Sequence, residues 1–137
     1  LKTVFADTFY WIALTYTDDA SHPDAVAFDA SPDRSPITTT EEILIEFLTF
    51  FGGQGVFLRT KALAVTRHIL SAQNITVLPQ THETFSTGLD LYATRLDKGY
   101  SMTDCISMQA MRREGLTDVL TNDRHFEQEG FRALFRS

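Results

Sequence analysis

Short β-prone runs set apart by long helical segments constrain this chain more than any other feature. The runs fall at residues 3–6, 37–40, 74–78 and 118–121, and the intervening text carries the spacing of amphipathic helices. Alternation of this kind predicts an α/β domain in three layers. A central, mostly parallel sheet of four or five strands lies between helices, joined by right-handed crossovers. One core is expected over residues 1–137, a length and a 43% hydrophobic content that suit a single ordinary domain.

Helices are expected at residues 8–15, around Ala25 to Phe28, at 41–51, 56–73, 82–99 and from Ser101 or Thr103 to Gly115. His22 and Pro23 are read as part of a turn, His125-Phe126 as a helix start, and the residues beyond as a tail. The stretch 100–131 organises the rest. Asp104 stands in the first turn of its helix, where the free N–H groups favour an anion. Asp123 follows the strand at 118–121 directly, and in an open α/β sheet the carboxyl ends of strands border the catalytic crevice. Asp7 has the same relation to the first strand, although an acid there also suits a helix N-cap.

The helix at 41–51 offers three glutamates. Glu41 and Glu42 lie in its first turn, where the dipole accounts for acids without further explanation. Glu46 sits among Ile43, Leu44, Ile45, Phe47 and Leu48, where an unpaired carboxylate is costly and a cation would relieve it. Glu42 shares its face one turn away, so both are candidates.

Other features carry less. Residues 52–55, Gly-Gly-Gln-Gly, lack the Lys-Ser/Thr ending of a phosphate loop and read as a turn. The single cysteine, Cys105, suits a core position and a reducing cytoplasm. No apolar run approaches the length of a bilayer span. A net charge of -6 argues against coating nucleic acid through a general positive field, yet it is compatible with acids gathered on a metal beside a basic rim. His22 is left out of the site as a loop residue, and His125 is assigned a structural role.

Taken together, Ala6-Asp7-Thr8, Thr39-Thr40 with residues 43–46, Ser101 to Cys105, and Leu120 through Phe126 with Gly130-Phe131 behind resemble the PIN-domain family of metal-dependent ribonucleases. The likeness is to its VapC-like toxin members, from bacterial toxin–antitoxin pairs. The resemblance spans the chain in order and implies a metal-dependent endoribonuclease. Asp7, Glu46, Asp104 and Asp123 would be the catalytic acids and the ligands of Mg²⁺ or Mn²⁺, which suit oxygen donors. It further implies an RNA substrate, a cognate antitoxin and a homodimer. Arg124, and then Arg112, Arg113 and Arg95, are candidates for phosphate contact. Phe47, Phe50, Phe51 and Phe57 would line an apolar groove wherever they remain exposed.

Two alternatives keep the fold: a non-catalytic RNA- or protein-binding module, and a housekeeping nuclease without an antitoxin. A phosphatase or a phosphorylated receiver fits poorly, because Asp7-Thr8-Phe9 lacks the second acid two residues on and no matching late lysine accompanies an acid pair.

Overall fold

The computed structural model describes residues 2–136. In chain order the elements are β1 (Val4–Ala6), α1 (Thr8–Thr15), α2 (His22–Ala30), β2 (Ile37–Thr40), α3 (Glu41–Gly52), α4 (Val56–Ser71) and β3 (Ile75–Leu78). They continue with α5 (His82–Thr94), α6 (Met102–Glu114), β4 (Asp118–Leu120), α7 (Arg124–Gln128) and β5 (Arg132–Ala133). The sheet has the order β3-β2-β1-β4-β5, and every pairing in it is parallel. Helices flank it in a PIN-like α/β/α sandwich.

This order explains where a site can form. The chain lays down β1, β2 and β3 in one direction, then returns to place β4 on the other side of β1. The crossovers therefore diverge between β1 and β4, and a crevice opens beyond the carboxyl ends of those two strands. Asp7 follows β1 at once, and Asp123 lies three residues beyond Leu120.

Strand composition matches strand position. Central β1 is buried along its whole length, as a strand covered on both faces requires. Thr39 of β2 donates its hydroxyl to the Ala6 carbonyl at 2.9 Å, so a polar side chain braces the end of β1 from the next strand. Thr40 then accepts from the Ile43 amide at 3.0 Å and caps α3. Phe5, Tyr10, Trp11, Phe47, Phe51 and Phe126 fill the core.

Beyond shifts of one or two residues at other ends, three features differ from the sequence expectation. Strand β5, read as tail, is two residues long and has no periodicity to betray it; it exists because Arg132 and Leu134 donate to the Thr117 and Val119 carbonyls along β4. Helix α2 begins at His22, with Pro23 in its first turn where a missing N–H does no harm. Helix α5 ends at Thr94, five residues before Gly99.

Helices α5 and α6 meet closely at Gly88. A Cβ built there would lie 2.5 Å from Ile106 Cγ1 and 3.3 Å from the Ile106 backbone, so the helices must part to admit one. Gly88→Ala is therefore expected to destabilise the protein by about 1–2 kcal/mol, since overpacking outweighs the better helix propensity of alanine. Urea denaturation measures this, and an unchanged midpoint would show that the α5–α6 contact yields freely.

Candidate active site

Each of the four acids reaches the crevice by a different local device. Asp7 occupies the N-cap position of α1, yet its side chain makes no capping bond; instead Oδ2 accepts from the Thr121 hydroxyl at 2.8 Å. The simple capping explanation for Asp7 thus fails. Thr121 stands just past β4 and is fully buried, and it also accepts from the Asp123 amide at 3.2 Å. One hydroxyl ties the two strand ends together.

Asp104 and Ser101 form a reciprocal capping box at the start of α6. Ser101 Oγ accepts from the Asp104 amide at 3.0 Å, and Asp104 Oδ2 accepts from the Ser101 amide at 3.1 Å. Asp123 caps α7 through Oδ1, which accepts from the His125 amide at 2.9 Å. These bonds hold the carboxylates in fixed orientations. They also leave each of them a free oxygen.

Position separates the two glutamates of α3. Glu42 turns away, its Oε2 accepting from Thr84 in the first turn of α5 at 2.8 Å. Glu46 Oε1 accepts from the hydroxyl of Thr8, the neighbour of Asp7. Its negative charge reaches Asp7, as does that of Asp104.

The electrostatics follow from this crowding. Burial is the main cause that pushes the Asp7 carboxyl up to about 7, and the charges of Asp104 and Glu46 add to it against the Thr121 hydrogen bond. Burial likewise raises Asp104, with Asp123 adding repulsion and the Ser101 amide and His125 opposing. Among the described residues no lysine or arginine pairs with any of the four acids. Uncompensated carboxylates held this way fit a divalent cation, and oxygen donors suit Mg²⁺ or Mn²⁺. One oxygen each from Asp104 and Asp123 and one nitrogen from His125 lie within 4.8 Å of one another.

The basic rim is arranged differently from the sequence reading. Arg95 and Arg112 are engaged within the fold: both bind the carboxylate of Glu129, through bonds of 2.8 and 2.9 Å, and Tyr100 donates its hydroxyl to it at 2.8 Å. Glu129 escaped sequence analysis because its partners lie 17 to 34 residues away. Arg124 is exposed beside Asp123, and Arg113 is exposed on α6. His22 donates Nδ1–H to the Ala13 carbonyl at 2.7 Å, which accounts for it structurally. Asp118 opens β4, as its place in the run 118–121 predicts, and lies near Lys2 and Arg132. Phe47 and Phe51 are core, whereas Phe50 and Phe57 are exposed, the latter by 77%.

A parallel sheet of this order, with acids from the β1 end, α3, α6 and the β4 end converging on one crevice, defines a PIN-like fold. No family model matches the sequence, and no curated protein matches it either. Among solved structures the chain is similar to the Mycobacterium tuberculosis toxin VapC20, described as a toxin that cleaves the sarcin-ricin loop. Identity is 25%, the match covers 93% of this chain and 95% of that one, and the TM-score is 0.80.

Proposed function

We propose that this chain is a metal-dependent endoribonuclease, the toxin of a toxin–antitoxin pair acting in the bacterial cytoplasm. The observation that carries the reading is the meeting of Asp7, Glu46, Asp104 and Asp123 at the sheet's switch point with no lysine or arginine, among the described residues, to neutralise them and only His125 beside Asp104 and Asp123. Likeness to VapC20 supports an exposed loop of a folded RNA as the substrate.

A bound Mg²⁺ or Mn²⁺ supplies Lewis acidity for hydrolysis of a phosphodiester and the charge that lets these acids ionise side by side. The chain's own part is to hold that site rigid. Asp7, Glu46, Asp104 and Asp123 provide the oxygens, directly or through water. Thr121, Thr8 and Ser101 hold Asp7, Glu46 and Asp104 in place by hydrogen bonds, and the α7 amide does the same for Asp123. Arg124, exposed and next to Asp123 in the chain, is the candidate to meet the phosphate of a strand entering the crevice. The partners that go with this reading are RNA, a cognate antitoxin and a second copy of the chain. Exposed Phe50, Val56 and Phe57 offer apolar surface to a protein partner.

The test is incubation of a pool of cellular RNA with the protein in Mg²⁺, in Mn²⁺ and in EDTA, beside Asp104→Asn prepared identically. Discrete cuts that need metal and vanish in the variant are expected. A folded protein that binds Mn²⁺ and leaves all RNA intact would point instead to a non-catalytic binding module. The two glutamates separate in the same assay. Glu46→Gln is expected to slow cleavage on the order of a hundredfold, as loss of one preorganised electrostatic partner does. Glu42→Gln should leave the rate within a few-fold of wild type. The reverse order would move the site along α3.

A further inference from the structure

His125 is the second residue of α7, and its backbone is pinned by the bond from its own amide to Asp123. Its ring is backed by Tyr100, with centroids 5.0 Å apart, and the Tyr100 hydroxyl is in turn anchored on Glu129. The Nδ1 edge of the imidazole faces Asp104 and Asp123. On that edge Nδ1 is buried and has no hydrogen-bond partner among the described residues. It lies 3.5 Å from Asp104 Oδ2 and 3.5 Å from Asp123 Oδ1, at the outer limit of a hydrogen bond to either carboxylate.

A histidine kept only for packing would spend this nitrogen on an acceptor, as His22 does on the Ala13 carbonyl. A buried nitrogen left unpaired is destabilising unless something else takes its lone pair. Ligands side by side on one octahedral ion stand about 3 Å apart when each bond is about 2.1 Å. The three atoms, all within 4.8 Å of one another, need little adjustment to reach that arrangement. Imidazole nitrogen also favours transition-metal ions over Mg²⁺, which carboxylates alone scarcely do.

We propose that Nδ1 of His125 is a direct ligand of the divalent cation held by Asp104 and Asp123, and that it tilts this site from Mg²⁺ toward Mn²⁺. The inference rests on the metal site of the proposed function and extends it to a residue outside the four acids.

Pulsed electron paramagnetic resonance of Mn²⁺ bound to untagged full-length protein tests it directly. A ¹⁴N coupling that becomes a ¹⁵N coupling on histidine labelling is expected, and it should vanish in His125→Asn, whose fold is checked by circular dichroism. Calorimetric titration with each ion should show Mn²⁺ affinity falling about tenfold or more in His125→Asn, with a smaller change for Mg²⁺. Mn²⁺ bound without histidine coupling, or an unchanged preference between the ions in the variant, would overturn the role of His125 while leaving the acid site standing. Asp104→Asn separates the two levels: if it binds Mn²⁺ as wild type does, the acid site itself is wrong and His125 falls with it.

Discussion

Asp7→Asn is expected to lower RNA cleavage on the order of a thousandfold, the scale seen when one member of a cooperating catalytic set is removed, and at the same time to make the metal-free protein more stable. Both effects come from one feature. Asp7 is only 7% exposed, is held by Thr121, and faces the charges of Asp104 and Glu46. Its carboxyl is pushed up to about 7 from 3.8, so in the folded state it keeps a proton that the unfolded chain has already lost. The stability this group contributes is full below its unfolded value and is lost as pH rises toward and through 7. At pH 8 the wild type carries the whole penalty of a buried ionised acid. An asparagine carries none, can still accept from Thr121, and should gain about 1–3 kcal/mol there and little near pH 4. Thermal unfolding in EDTA at the two pH values reads the difference. Divalent ion should then narrow it, because binding to the folded state alone favours the wild type. An Asp7→Asn variant that cuts RNA at the wild-type rate, or that is less stable at pH 8, contradicts this account of the crevice.

Glu129 is the opposite case, an acid whose charge holds the fold together. Its side chain is 5% exposed and gathers Arg95 of the α5 C-cap, Arg112 of α6 and Tyr100 between those helices. Burial pushes this carboxyl up, but the bonds from Arg95, Arg112 and Tyr100 together outweigh it and hold it down at about 2. Glu129→Ala is expected to destabilise by about 2–3 kcal/mol, at the lower end for a broken ion pair because the arginines are partly in water. The folded value lies below the usual 4.5, so its contribution is present above pH 4.5 and drains away as pH falls toward 2. Acid unfolding of wild type and Glu129→Ala should converge over that window, and parallel curves would show that Glu129 does not hold this junction. Taken with Asp7, the two slopes oppose each other. Metal-free protein should be most stable in mildly acidic solution, at about pH 4 to 5.

Much of this protein was legible in the chain because it is encoded over short distances. Three residues separate Ser101 from Asp104 in a capping box, and Thr40 from Ile43 in a cap. The apolar spacing that marks α3 and α6 repeats within a single turn or two. The alternation of strands and helices, the placing of Asp7 and Asp123 at strand ends, and the prominence of Glu46 and Asp104 all came from such local patterns. Helix geometry alone left Glu42 and Glu46 level, since both lie on one face of one helix. The first turn of α5 separated them by offering Thr84 to Glu42, and α1 offered Thr8 to Glu46.

What only the tertiary structure decided rests on pairings remote along the chain. The Thr121 hydroxyl reaches Asp7 across 114 residues, β5 exists only beside β4, and Arg95 and Arg112 are drawn from the candidate phosphate rim into the Glu129 cluster. Periodicity reports which face of an element seeks burial. It carries no record of which element arrives to cover that face. Strand order supplies that record, and in this fold the return of β4 to the side of β1 turns separate acids into one crevice.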